Sequence, residues 1–217
     1  MTTLLLATRN AHKVGEILSI LGERFQYLTL RDFPEAPEVI EDADTFAGNA
    51  TKKATELGVW LGRQPSLLTH YASRPAVLAD DSGLEVDVLN GQPGVLSARF
   101  AALDVGTEGN SSDAANNAKL LRLLTGVVAE NRTARFRCVL ALVEVHPPSS
   151  ILHPQIFDGV CEGRIDFAPR GGNGFGYDPL FIPNGHTASF AELGETVKNQ
   201  LSHRAQALKK LRVALGV

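Results

Sequence analysis

Hydrophobic residues in this chain change their spacing along its length, switching between a strand-like period of two and a helical period of about 3.6. Thr3 to Thr8 is a short apolar run that reads as a buried first strand. Val14, Ile17, Leu18 and Leu21 then recur at i, i+3, i+4 and i+7, which predicts a helix with Asn10 as its N-cap and Gly22 as its stop. A second helix is expected from Thr45 to Leu61, with Phe46, Ala50, Ala54, Leu57 and Leu61 on one face. Val77 to Asp81 is apolar and then abruptly acidic, while Leu84, Val86 and Val88 alternate with Glu85 and Asp87 as in a half-exposed strand. Ser112 to Leu124, closed by Gly126, reads as a third helix. Ala134, Phe136, Cys138, Leu140 and Leu142 keep a period of two through a long strand that Pro147 and Pro148 end. Ile156 to Ile165 is expected to return beside it as an antiparallel partner. A final helix from Ser202 presents Ala205, Leu208, Leu211 and Leu215. Alternation of this kind predicts an α/β fold, a mixed sheet with flanking helices. Arg63 to Pro75 and Pro169 to Gly176 read as loops, the second dense enough in glycine to invite a functional reading.

A chain of 217 residues buries roughly 70–75% of its unfolded surface and needs no disulfide or metal to fold. At 44% hydrophobic and 21% charged residues, a disordered chain is excluded. The longest clear apolar run, Cys138 to Val143, falls far short of the ~20 residues that span a membrane. The apolar stretch near the N-terminus follows no basic leader and is too short for a signal peptide. Two cysteines fit a reducing compartment. A net charge of −3 gives no global attraction to nucleic acid or anionic lipid. The expectation is a cytoplasmic protein with neither nucleic acid nor membrane as partner.

Ala79-Asp80-Asp81-Ser82-Gly83 is the sharpest local signal. Two carboxylates end an apolar strand, at the sheet edge where α/β folds commonly place ligands. Strand alternation sends Asp80 and Asp81 to opposite faces, so they do not share one role. One suits a hard cation or the deprotonation of water, and the other suits a Ser82-Gly83 turn. A solvated Asp-Ser-Gly turn is the bland alternative. Thr8 through Lys13 form a second candidate, because a helix N-terminus attracts anions and Lys13 places a cation in the first turn. An ordinary cap with a solvated lysine explains that segment equally well. Glu38, Glu41, Asp42 and Asp44 precede the second helix, whose Asn49, Lys52 and Lys53 face away from its apolar stripe. A solvated polar face is the default reading there, phosphate contact the other.

Gly171 to Pro179 combines glycines that permit close backbone approach with two aromatics and an acid, a setting in which a ring offers a stacking face for a base. Lys198 to Arg204 gathers donors around the expected Ser202 cap. His12, His70, His146, His153, His186 and His203 show no zinc-ligand spacing, and Cys138 and Cys161 are too sparse for a structural zinc. Neither a GxSxG elbow, a Walker A loop nor a GxGxxG fingerprint occurs. Cys138, on an apolar strand face, reads as inert core.

Taken together these segments resemble the inosine triphosphate pyrophosphatase family. The matching stretches are ATRNAHKVGEI (7–17), EDADTFAGNATKKA (41–54), ADDSGLEVDVLNGQPGVLSARF (79–100), RTARFRCVLAL (132–142), FGYDPLF (175–181) and AELGETVKNQLSHRAQAL (191–208). They follow the family's order and cover most of the chain. The resemblance implies one such domain over residues 1–217, a mixed sheet in two lobes around a central cleft, and a homodimer. It implies Mg²⁺-dependent hydrolysis of ITP, dITP or XTP to the monophosphate and pyrophosphate. By that analogy Asp81 is general base and metal ligand, and Glu41 a second metal-side carboxylate. Thr8, Arg9, Asn10, Ala11, His12 and Lys13 match the phosphate-binding segment, with Lys53 a further phosphate partner. Ser82, Phe175, Gly176, Tyr177, Asp178, Lys198, His203 and Arg204 match nucleotide-contacting positions, Phe175 being the stacking ring.

Lys198, Arg204 and the backbone N–H groups around Ser202 would satisfy a 6-oxo purine and oppose the 6-amino group of adenine. Three departures stand out: Arg9 where many members have glycine, Gly48 in place of a commonly acidic residue, and a longer Arg63 to Ala76 link. Two alternatives are a septum-formation-inhibitor-type pyrophosphatase acting on modified pyrimidine nucleotides and a nucleotide-binding regulator without turnover.

Overall fold

A computed structural model describes residues 2–64, 75–107, 109–145 and 153–216. His70, His146, Pro147, Pro148 and most of the 63–76 link lie outside the described residues. Six strands form one sheet in the order β2-β1-β3-β4-β5-β6: β1 (Thr3–Leu6), β2 (Gln26–Thr29), β3 (Pro75–Val86), β4 (Thr133–Glu144), β5 (Gln155–Ile165) and β6 (Phe181–Pro183). The helices are α1 (Ala11–Leu21), α2 (Phe46–Gly62), the short α3 (Ala102–Val105), α4 (Asp113–Leu123), α5 (Phe190–Leu201) and α6 (His203–Ala214). β1 is parallel to both β2 and β3, whereas β5 and β6 are antiparallel, so the sheet is mixed as expected. Among the described residues no helix is long and apolar enough to cross a membrane.

The chain divides into two compact units. Met1–Asp81, Cys138–Asp158 and Ala207–Val217 make the first; Ser82–Arg137 and Gly159–Gln206 make the second. In the first, Leu5 of β1 stands beside Leu28 of β2 and Val77 of β3. Parallel neighbours need a crossover, which α1 supplies between β1 and β2. Leu4, Leu6, Ile17, Leu21, Leu78 and Leu140 bury together with Leu208 and Leu211 of α6. Asn10 caps α1 as predicted, but Leu18 is 37% exposed; the buried stripe is Ile17 and Leu21. Thr45 caps α2 by accepting from Gly48 N–H, and the whole predicted apolar stripe is buried. A Cβ on Gly48 would stand 2.7 Å from that of Ala43, which accounts for glycine there.

In the second unit, Leu84, Leu120, Leu124, Phe136, Ile165 and Phe181 lie in one core. The Phe136 and Phe181 rings are 4.7 Å apart and Phe181 stacks on Phe190 at 5.3 Å. Two expectations are corrected. Ser82-Gly83 is not a turn, because β3 runs unbroken through both carboxylates to Val86; sheet pairing overrides the local turn preference. Val88 is not a strand residue but lies exposed in a 3-10 turn, Asp87–Leu89. The last helix does open at Ser202 as expected, whose hydroxyl accepts from Ala205 N–H; what the apolar spacing does not reveal is α5 before it, capped reciprocally by Ser189 and Glu192. Ser-x-x-Glu was a readable signal for that helix. Gly194, at φ +76, breaks its backbone and so its apolar period.

Candidate active site

The first cluster of polar groups belongs to the first unit and is built from α1, α2 and β3. Asp80 and Asp81 are 1% and 5% exposed, far too buried for a solvated turn. Lys13 reaches from the first turn of α1 to Asp80, Nζ to Oδ1 2.7 Å. Lys53 donates to the Asp80 carbonyl at 2.6 Å and pairs with Glu41 Oε1 at 2.9 Å. Asn49, one helical turn earlier on α2, donates to Asp81 Oδ2 at 3.0 Å, while its own Oδ1 accepts from Ala43 N–H. Asn49 and Lys53 are therefore buried and turned toward the carboxylates, which corrects the default reading of a solvated face. Lys52 does stay outside, bridged to Asp42. Cys138 is also more than inert core: its thiol donates to Asp80 Oδ2 across 3.2 Å.

Burial pushes the Asp81 carboxyl from an ordinary 3.8 up to about 6. Lys53 and Lys13 pull it back, Glu41 pushes it further up, and the Asn49 bond lowers it. The two acids thus differ in kind, as opposite faces of a strand require. Asp80 is paired with lysine, whereas burial leaves the Asp81 carboxyl well above the ordinary carboxylate range.

The α1 N-terminus is less open than its sequence suggests. Asn10 Oδ1 already accepts from His12 and Lys13 N–H, and Thr8 Oγ1 accepts from Asn10 N–H. Arg9, Ala11 and His12 are exposed, and the Arg9 guanidinium turns to the Ala36 carbonyl at 3.4 Å. From this segment Lys13 is brought onto the carboxylate cluster.

A second cluster lies within the second unit. Asp178 and Lys198, 1% and 3% exposed, form an ion pair of 2.5 Å. The same Asp178 oxygen accepts from Phe175 N–H at 2.8 Å, so one carboxylate fixes both the loop and the lysine. A side chain on Gly174, at φ +78, would run into that carboxylate at 2.2 Å. Lys198 Nζ stands 4.4 Å from the Phe175 ring centre and the Arg204 guanidinium 6.0 Å. Arg204 is fully buried and donates to Ser82 Oγ at 2.8 Å. Tyr177 Oη donates to the Ser97 carbonyl, and His203 stacks on Phe136 at 4.8 Å, so both rings are held by the core. Ser202 does cap α6, accepting from Ala205 N–H, but its own N–H donates to Lys198 O. Those two amides are taken, which removes them from the expected set of base donors.

The Ham1 family model matches residues 4–214, a span that contains both the lysine–carboxylate cluster and the cation-flanked aromatic loop. The chain belongs to the Ham1 family. It is 45% identical over 212 residues to a dITP/XTP pyrophosphatase of Shouchella clausii, covering 98% of this chain and 96% of that one. To a dITP/XTP pyrophosphatase of Geobacter sulfurreducens it is 47% identical over 217 residues, covering 100% and 98%. Among solved structures, a HAM1 protein from Coxiella burnetii matches with a TM-score of 0.79 and 36% identity, over 100% of this chain and 99% of that one. The family resemblance and the α/β class expected from sequence are both borne out.

In this Ham1 chain no group of three His, Cys, Asp or Glu residues is arranged to hold a metal among the described residues. Asp81 and Glu41 are two hard carboxylate oxygens near enough for the Glu41 charge to raise the Asp81 carboxyl. Mg²⁺ usually takes one or two carboxylates and completes its shell with water and substrate phosphates. Asn49 and Cys138 are the residues that sequence reasoning undervalued. Asn49 had a signal, a polar side chain four residues before Lys53; Cys138 had none beyond its strand position.

Proposed function

We propose that this chain hydrolyses non-standard purine nucleoside triphosphates, ITP, dITP and XTP, to the monophosphate and pyrophosphate. The observation that carries the reading is Asp81, a buried carboxylate held near neutrality beside Lys13 and Lys53. The names of the Shouchella and Geobacter relatives support the same chemistry. A triphosphate brings about four negative charges, and Lys13 and Lys53 supply local cations that the net charge of −3 does not. Asp81 takes a proton from the attacking water as that oxygen bonds to the α-phosphorus. The bond from the α-phosphorus to its bridging oxygen breaks, and pyrophosphate leaves with the electron pair. Asp80 holds Lys13 with its carboxylate and Lys53 with its carbonyl. Mg²⁺ is the cation we assign to Asp81 and Glu41; when bound it would neutralise phosphate charge and acidify water.

The second cluster is assigned to the base. Phe175 offers the stacking face, and Lys198 and Arg204 are donors only, which suits a 6-oxo group and leaves the adenine amine opposed. Two such mismatches give discrimination on the order of a hundredfold or more. A panel of ITP, dITP, XTP, ATP, GTP and modified pyrimidine triphosphates with Mg²⁺ tests the reading, with pyrophosphate and orthophosphate measured separately. We expect pyrophosphate from the 6-oxo non-standard purines. Orthophosphate release, pyrimidine preference, or binding without turnover would each overturn it.

From the family resemblance we also propose a homodimer working in the cytoplasm. Sedimentation of a single species at the 23.3 kDa of one chain would remove the dimer.

A further inference from the structure

α4 belongs to none of the segments assigned above, yet its polar side chains hold main-chain groups of other segments. Gly176 N–H donates to Asp113 Oδ2 at 2.6 Å, and Asn117 Nδ2 donates to Gly176 O at 3.0 Å. Residues four apart on a helix share a face, so one stripe of α4 captures both polar groups of a single residue. Gly176 sits between Phe175, whose N–H is bound to Asp178, and Tyr177, whose hydroxyl is bound to Ser97 O. Its φ of +63 gives the loop a left-handed step that needs holding in place.

Asn117 carries a local cost for this. The Gly176 carbonyl only accepts, which fixes the amide with Nδ2 toward it and turns Oδ1 away. That Oδ1 is buried with no hydrogen-bond partner among the described residues. Such atoms are rare in native interiors, and departures from local rules concentrate at functional sites. Neighbouring Asn116 shows the contrast: its Oδ1 accepts from Ala101 N–H and its Nδ2 donates to Ala98 O, so both ends are satisfied.

We propose that Asp113 and Asn117 are positioning residues for base recognition: by clamping the N–H and C=O of Gly176 they set how the loop presents Phe175. The inference rests on the reading of Phe175 as the surface on which the base stacks. Neither residue touches the base or the phosphates in this account; both act through the loop.

Three measurements on the full chain test it. Amide exchange over residues 173–178 of nucleotide-free protein should quicken at least about tenfold in Asp113→Ala and Asn117→Ala. Asn117→Ala removes the unpartnered oxygen together with the donor, so its melting temperature should stay within about 2 °C of wild type. In turnover, both variants should raise KM for ITP about tenfold and leave kcat within about twofold, the pattern of lost binding rather than lost chemistry. Asp113→Asn keeps an oxygen for the Gly176 N–H and should restore most of the loss. In a Phe175→Ala background, adding Asn117→Ala should change KM by less than about twofold, because the ring it positions is gone. Equal losses in both backgrounds, or unaltered exchange over 173–178, would overturn the clamp while wild-type turnover stands. A wild-type protein with no purine triphosphate turnover would overturn the functional reading, and this inference with it.

Discussion

Asp81→Asn will leave a folded protein without measurable turnover that is, in the metal-free state at pH 8, more stable than wild type. Loss of a positioned base typically costs about 10²–10⁴ in rate, and loss of a metal ligand adds to that. The stability gain follows from linkage. Burial raises the folded-state carboxyl from 3.8 to about 6, so the folded protein binds this proton more tightly than the unfolded chain. That contribution is fully present below about pH 4 and is lost as pH rises through about 6. Two pH units of difference correspond to about 3 kcal/mol, which wild type forfeits at pH 8 and the asparagine variant does not. Asn49 Nδ2, 3.0 Å from Asp81 Oδ2, retains an oxygen acceptor in the variant. Thermal melts in chelator at pH 4 and pH 8 check this: the variant's advantage should appear only at the higher pH. Near-normal turnover would move the base to another carboxylate, and a variant less stable at pH 8 would mean burial does not strain this one.

Asp178→Ala will be the most damaging single truncation in the second unit. It strips a buried ammonium of its carboxylate, and breaking one side of a buried pair costs about 3–5 kcal/mol. It also releases Phe175 N–H. For a chain of this length the melting temperature should fall by roughly 6–20 °C. Asp178→Asn keeps an acceptor for Lys198 and for Phe175, and should lose less than half as much. Replacing Lys198 by Met on top of Asp178→Ala should recover part of the loss, since no buried charge then remains at that pair. Denaturant unfolding that shows under 1 kcal/mol for Asp178→Ala would remove the pair as the anchor of this loop.

Local signals were legible wherever a residue's partner lies within a few positions. Asn10 accepts from amides two and three residues on and is legible as a cap; Thr45 accepts from one three residues on, at the point where the second helix is expected to begin. The apolar stripe of α2 and the period-two run of β4 needed only a helix or strand repeat. The same approach missed β2 and β6, four and three residues long, because so short a segment carries no period. Sequence determined the helices and strands whose apolar residues form a continuous run or an unbroken period, and its ordered motifs pointed to the family.

What each charged side chain does was decided by tertiary structure. Lys53 meets the Asp80 carbonyl across 27 positions, Asn49 meets Asp81 across 32, and Asn117 meets Gly176 across 59. Arg204 meets Ser82 across 122. Amphipathic reasoning places a lysine or asparagine off the apolar stripe and therefore in water. It cannot register that a second segment has come in from far along the chain with carboxylates or carbonyls to receive it. Burying a charge is costly unless such a partner is present, so the partner's arrival turns a nominally solvated face into a site, and that arrival is a property of the fold alone.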